Sequence, residues 1–472
     1  KIINMNKEVN IIDGKVIYNS KEYCFHYDDN LITLYPEKLE DKWKSFREMF
    51  LDVNSKEDDK TINLYGENSD GNPIAFIKLN LKNVGRGIYR SFVPAYILGK
   101  CNAISPLPEI NNFKRMTLKG ECIDALYSPR KLVKELGTTK KFKPVIKFND
   151  MKDVQTKIKI NEDEWNFGVS WIMPRKKKNT IIDLNSELLI DFKDLKNVDE
   201  IIEYYINIEK IFCFLNNRKH VIFSEIKLYT NIKFYDDISK KVRKDSITFV
   251  LNINERKDIK YDLPDNHKQI SILDLDNHLE AIYNAINENP FIDESLPNNT
   301  YDSNHVSVED FIRTTSAFES EFDRTYPNYK ANKNENYKRV KNKILKYIED
   351  CKIDENKRTI GYIDDFYNSI DNLEGTLPEQ ICCALKEFTK PLEKIKQRLF
   401  VHYNITNVNN GELAQQFTKK RNYVAHGREL QQFTDIEIVA YILVERLIYC
   451  LLLKRVGFSI DEITMILEKI FE

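Results

Sequence analysis

The spacing of apolar residues changes period partway along this chain, dividing it into a strand-forming front and a helix-forming back. In the front, short apolar or alternating runs lie between clusters of Gly, Asn and Asp, as strands between turns do. The strand candidates are 15–18, 72–81, 91–98 and 114–122. The run SFVPAYIL at 91–98 is nearly continuous in apolar residues, the signature of a core strand in a sandwich. In EWNFGVSW, Trp165, Phe167, Val169 and Trp171 alternate with other residues, as on a half-buried strand. From 198 to 215 the spacing turns helical, with Ile201, Ile202, Tyr205, Ile208 and Phe212 on one side. Strand-like segments follow at 221–229 and 247–253, then a helix at 270–287. The Asn-, Pro- and Asp-rich stretch 287–303 reads as a linker and the best domain boundary.

Beyond that stretch the period is helical almost throughout. Helices are expected near 307–325, 335–351, 358–371, 377–402, 411–426, 434–455 and 459–471. Ser307 with Asp310, Thr434 with Asp435, and Ser459 with Glu462 supply cap chemistry ahead of apolar runs. The fold class is therefore α+β: a β-rich, sandwich-like N-terminal region followed by an all-α helical bundle. The expected division is 1–195 (β-rich), 196–300 (mixed α/β continuation and linker) and 304–472 (all-α).

Composition narrows the picture only slightly. The chain is 42% hydrophobic and 31% charged, the balance of an ordinary globular protein. Its formal net charge is −1, so any nucleic-acid site must be a local basic patch. The run Arg175-Lys176-Lys177-Lys178 is read first as a solvated loop and only second as a phosphate contact. The eight cysteines include no CxxC pair, and Cys24 with His26 has no second ligand pair at zinc-site spacing; no metal or cofactor is expected. Scattered thiols inside apolar runs suit a reducing compartment, and neither a signal core nor an unbroken apolar span is evident, because Glu445 and Arg446 interrupt the longest one. A cytoplasmic protein without a membrane partner is the expectation.

The candidate chemistry lies on the helix at 411–426. Turning about 100° per residue, Leu413, Phe417 and Val424 form a core-facing stripe, while Gln415, Lys419, Asn422 and His426 share the opposite side within an arc of about 60°. Gly427 follows at once and would end the helix through a left-handed cap, placing His426 in the last turn. Histidine is the side chain suited to proton transfer at neutral pH. Arg421 lies about 140° round the helix from His426, so only the reach of the arginine, or a second copy across a two-fold axis, can bring both to one phosphate.

Arg421 and His426, with four residues between them and the polar Asn422 after the arginine, resemble the signature of the HEPN superfamily. The chain is similar to its ApeA-like abortive-infection branch in three features: a β-rich front with RSFVPAYILGKC, a long helix VEDFIRTTSAFESEFDRTY carrying Ala317-Phe318-Glu319, and RNYVAHG followed by a long apolar helix. The resemblance implies a metal-independent endoribonuclease in which the ribose 2′-OH attacks the adjacent phosphodiester. His426 would move the proton, Arg421 would bind the phosphate, and Asn422 would orient either group. Lys419 and Lys420 would contact the RNA backbone, and Glu319 would support the site. It further implies a homodimer with a composite site, transfer RNA as the first substrate to test, a phage-derived trigger, and a front half that senses or restrains a toxin-like activity in anti-phage defence. The alternative is a non-catalytic HEPN module for dimerisation or for nucleotide or RNA binding.

Blander explanations compete for the same residues. Arg421 could be a structural arginine paired to Glu319 or Glu412. His402 and Asn404 precede a turn and have no evident partner, His220 beside Arg218 and Lys219 reads as a solvated junction, and Trp165, Phe167 and Trp171 read as strand core rather than a base-stacking platform.

Overall fold

In the computed structural model the described residues are 11–36, 61–85, 87–100, 110, 112–128, 133–138, 144–148, 155–172, 183–236, 241–254, 270–275, 278–299, 306–329, 335–353, 355–371, 375–426 and 432–471. The chain divides into two compact units: 1–209 with 221–260, and 210–220 with 261–472.

The first unit is built on antiparallel strands. They are β1 Ile12–Tyr18, β2 Lys21–Asp28, β3 Leu31–Pro36, β4 Ile62–Asn68, β5 Pro73–Leu79, β6 Lys82–Gly85, β7 Ile88–Phe92, β8 Ala95–Lys100, β9 Phe113–Lys119, β10 Val133–Thr138, β11 Pro144–Phe148, β12 Gln155–Ile160, β13 Asp163–Ile172, β14 Asp183–Lys196, β15 Glu225–Asp236 and β16 Lys241–Ile253. Where the sequence suggests a sandwich-like front, fourteen of them join in one hydrogen-bonded sheet, ordered β12-β13-β14-β9-β15-β16-β8-β5-β4-β1-β2-β3-β7-β6; β10 and β11 pair separately. The run at 91–98 is two strands rather than one. Pro94 has no N–H for a ladder, so the chain breaks at Val93–Pro94, where Val93 N–H donates to Asn30 O and Pro94 O accepts from Asn254 N–H. Trp165 and Phe167 are fully buried, and Trp165 Nε1 donates to Tyr204 Oη at 3.0 Å, as the core reading requires. The expected strand at 114–122 ends at Lys119, and Cys122 sits in the short helix α1, Glu121–Leu126. Helix α2, Val198–Leu215, runs from the first unit into the second. The basic run 175–178 lies outside the described residues.

The second unit is helical: α3 Leu279–Glu288, α4 Ile292–Ser295, α5 Val308–Thr325, α6 Glu335–Asp350, α7 Lys357–Asp371, α8 Leu377–Glu387, α9 Thr389–His402, α10 Asn410–Ala425, α11 Asp435–Arg455 and α12 Ile460–Phe471. Two expected helices are shorter than their apolar period suggests. The segment 377–402 divides at Phe388 because Pro391 has no N–H to offer the carbonyl of Glu387. The segment 270–287 opens as a single turn of 3-10 helix, where the Asp274 carboxylate accepts the Ser271 N–H at 3.1 Å and competes with helical bonding. The supposed linker holds α4, with Ile292 and Leu296 buried. The junction before it is not solvated as expected: Arg218 is buried and donates to Asn217 O, and Lys219 lies 3.3 Å from Glu294.

Capping boxes start α5 at Ser307 with Asp310 and α11 at Thr434 with Glu437, while the Ser459 and Glu462 side chains reciprocate before α12. Helix α11 is apolar on nearly every side from Val439 to Leu453 and forms the axis of the unit, as a helix without a polar face must. Its one internal carboxylate, Glu445, is paired with Arg446 at 2.8 Å, and burial pushes that carboxyl up from its ordinary value. At the far end of α11, Arg455 binds the fully buried Glu321 of α5 through Nε at 2.7 Å and Nη2 at 3.2 Å. It also reaches Glu288 and Ala285 O of α3, while Asn289 Nδ2 donates to Glu321. This network fastens α3, α5 and α11 together.

Candidate active site on α10

Helix α10 is set between α5, α8 and α11 by its apolar stripe. Leu413, Phe417 and Val424 are buried as their spacing predicts, and Phe417 stacks on Phe311 of α5 at 5.0 Å between centroids. Asn409 caps the start by accepting Glu412 N–H at 3.0 Å. The opposite face is open: Gln415, Lys419, Asn422 and His426 are all exposed. His426 is the C-terminal cap, and its backbone N–H still donates to Asn422 O at 3.2 Å. Its imidazole therefore stands at the end of the helix, on the solvent side. Gly427, expected to end the helix, lies outside the described residues.

Arg421 has two partners, one on its own helix and one on α5. Its Nη1 donates to Asn422 Oδ1 at 3.2 Å, and its Nη2 lies 3.8 Å from Glu319 Oε2 on α5. The guanidinium is thus held between a carboxylate of α5 and the amide of the next residue. Of the two acids proposed as its partner, Glu319 is the one it meets. That carboxyl titrates above its ordinary value: burial raises it most, Arg421 pulls it down, and Asp323 one turn along raises it again. The guanidinium remains partly exposed, so it can take a further anion in its fork.

The two adjacent lysines separate. Lys419 is exposed beside Asn422, as an RNA contact needs to be. Lys420, expected to share that role, is 5% exposed. Its ammonium lies 3.3 Å from Glu437 Oε2, donates to Gln432 O and sits 4.6 Å over the Phe433 ring. One residue turns the helix by about 100°, which carries Lys420 from the polar face to the α11 contact. It is a packing lysine that fastens α10 to the start of α11, and this corrects the expectation.

Other candidates fall away from the site. His402 ends α9 with its ring 4.8 Å from Tyr403, and Asn404 takes a left-handed turn conformation with φ 51°. Asp323 and the Arg455 network escaped the sequence reading. The i, i+4 spacing of Glu319 and Asp323 was the available signal for Asp323. Nothing local pointed Arg455 at Glu321, because that pairing crosses more than a hundred residues. Among the described residues no group of three or more His, Cys, Asp or Glu side chains is placed to hold a metal ion, and no helix is long and apolar enough to cross a membrane.

The helical unit thus carries an arginine and a histidine with four residues between them at the end of a helix whose other face is buried. Residues 312–462 match the family described as Apea-like HEPN, so this chain carries a HEPN domain resembling those of ApeA-like proteins. The matched span runs from within α5 into α12 and contains every candidate site residue. HEPN domains are generally ribonucleases, and the match supports a nuclease- or RNA-related, defence-associated role. Neither curated proteins nor solved structures give a match.

Proposed function

We propose that the helical unit is a metal-independent endoribonuclease acting in anti-phage abortive infection. The observation that carries this reading is the guanidinium of Arg421, held between Glu319 and Asn422 in the last turns of the helix that His426 caps. A phosphodiester drawn to that guanidinium sits where a histidine at the helix end can work on it. The His426 imidazole removes the proton of the ribose 2′-OH as the 2′-oxygen bonds to phosphorus. The bond from phosphorus to the 5′-oxygen breaks, and the leaving oxygen takes a proton from the imidazolium. The products are a 2′,3′-cyclic phosphate and a 5′-OH end. Arg421 holds the negative charge that builds on the phosphoryl oxygens. Asn422, its Oδ1 occupied by Arg421, keeps its amide N–H groups for phosphate or imidazole. Dependence on the 2′-OH makes DNA a non-substrate.

Transfer RNA is the first substrate to test, and two copies of the chain would complete the site by pooling their α10 helices across a two-fold axis. The front unit would sense a phage-derived trigger or restrain the nuclease, which an enzyme toxic to its own cell requires, and the setting would be the cytoplasm. The test is cleavage of total RNA in EDTA by wild type and by His426→Ala. The wild type should yield 2′,3′-cyclic ends, and the variant should be slower by about 10³-fold with an unchanged melting curve. Cleavage by His426→Ala at the wild-type rate would refute the assignment. Binding of RNA without products in both would instead indicate a non-catalytic HEPN module.

A further inference from the structure

Helix α9 presents one face that is neither closed core nor ordinary surface. Thr389, Leu392, Glu393, Lys396, Gln397 and Phe400 follow the spacing of a single helix side. With Leu385 of α8 and Asn410 at the start of α10 they line a cavity of about 240 Å³, partly open to solvent. Its apolar lining is the buried Leu385 and Leu392 and the partly buried ring of Phe400. The volume falls just below the roughly 300–1,000 Å³ of pockets that take drug-sized ligands, so the cavity suits a smaller molecule.

The cation in this cavity has no counter-charge. Elsewhere on α9, Lys390 and Lys394 reach Asp461 and Glu468 of α12. Lys396 meets no carboxylate among the described residues: its Nζ donates to Asn410 Oδ1 at 2.7 Å and lies 5.3 Å from the centre of the Phe400 ring. Glu393, one turn back, instead accepts from Gln397 Nε2 at 3.3 Å. Burial holds the Lys396 ammonium below its ordinary pKa, and no neighbouring acid restores it. A lysine stem ordinarily carries its tip out to water, because a charge in apolar surroundings is costly unless paired. Here Asn410 holds the tip at the cavity, with two of its three donors left over. The Thr389 hydroxyl cannot serve a ligand as donor, since it already donates to the carbonyls of Leu385 and Lys386. One cation calls for one negative charge, and Glu393 at the same cavity repels a second. Inorganic phosphate, multiply charged and without apolar surface, matches neither the charge nor the lining.

We propose that this cavity binds a small monocarboxylate with an apolar body, its carboxylate on Lys396 and Asn410 and its body against Leu385, Leu392 and Phe400. The site uses none of the residues assigned to RNA cleavage and stands apart from that reading. Calorimetric titration of the full chain tests it, with sodium hexanoate as probe and hexan-1-ol and inorganic phosphate as controls. Hexanoate should bind with a dissociation constant on the order of 1 mM or below, and at least about tenfold tighter than either control. Lys396→Met keeps the length of the side chain and removes the charge. It should weaken hexanoate by about 10–100-fold, the scale of a lost hydrogen bond to a charged group, and leave hexan-1-ol unchanged. Gln397 is exposed, so Gln397→Glu should keep the wild-type melting curve while its added charge weakens hexanoate by about three- to fivefold. If Lys396→Met melts early, Gln397→Glu decides alone. Hexanoate bound no tighter than hexan-1-ol, or as tightly by the folded variants as by wild type, would overturn the proposal. Phosphate binding as tightly as hexanoate would do the same, since the apolar body would then count for nothing.

Discussion

Two glutamates two residues apart on α5 each meet an arginine from another helix, and the two pairs do opposite things. Glu321 is fully buried, and Arg455 grips it with two nitrogens while only 17% of the arginine side chain is exposed. Glu319 meets Arg421 at 3.8 Å with one nitrogen, and the side chains are 39% and 37% exposed. The first pair is saturated: its spare donors go to Glu288 and Ala285 O, and its spare acceptor goes to Asn289. The second has one firm hydrogen bond, to Asn422, and room in the fork. A guanidinium already satisfied on every side is structure. One held loosely at a helix end, beside an exposed histidine, is available for an incoming phosphate.

Removing each arginine breaks the comparison most sharply. Arg455→Ala should lower the stability of the helical unit by about 3–5 kcal/mol, because it strands the buried Glu321 carboxylate. Arg421→Ala should change stability by less than about 1 kcal/mol, as expected for a pair more than a third exposed. Its RNA cleavage should fall by about 10²–10³-fold, the scale for losing a preorganised charge at the reacting phosphate. Denaturant unfolding and a single-turnover cleavage assay read the two effects. Equal stability losses in both variants would erase the distinction drawn here.

Much of this was legible in the chain. Helix periods and capping residues place α5, α10 and α11 within a residue or two, because those signals act within one or two turns. The face carrying Gln415, Lys419, Asn422 and His426 follows from helical geometry alone. What escaped depends on neighbours distant in sequence. Lys420 looks like Lys419 until Glu437 and Phe433 are brought beside it. The setting of the Arg421 guanidinium depends on side-chain torsions and on a partner from α5. The division of 91–98 and of 377–402 turned on single prolines whose missing N–H outweighs a continuous apolar pattern.

The neighbouring lysines give a comparison of intermediate size. Lys420→Ala should cost about 1–3 kcal/mol, since Glu437 and the Gln432 carbonyl both lose a partner in a nearly closed site. Lys419→Ala should leave stability within about 0.5 kcal/mol of wild type. It should instead weaken RNA binding and lower the salt slope of the affinity by about one, the mark of a single lost phosphate contact. A filter-binding titration over several salt concentrations decides this. A salt slope that drops for Lys420→Ala and holds for Lys419→Ala would reverse the assignment of the two residues.

The smallest effect concerns Glu319, and there the sign carries the argument. Burial raises its carboxyl above the ordinary value in spite of Arg421, so the folded protein holds that proton to higher pH than the unfolded chain does. Stability associated with the group is therefore complete at acid pH and is lost as pH rises through the folded value. The ion pair does not offset the burial of its own carboxylate. Glu319→Gln should accordingly melt at or slightly above the wild-type temperature at neutral pH, and the difference should vanish below the ordinary carboxylate range. Its cleavage rate should nonetheless fall, by about tenfold, because the amide holds Arg421 without charge and the guanidinium loses its aim at the phosphate. A carboxylate that costs stability yet raises the rate is a positioning residue. If Glu319→Gln melted well below wild type at neutral pH and cleaved RNA as fast, Glu319 would belong with Glu321 among the structural acids of α5.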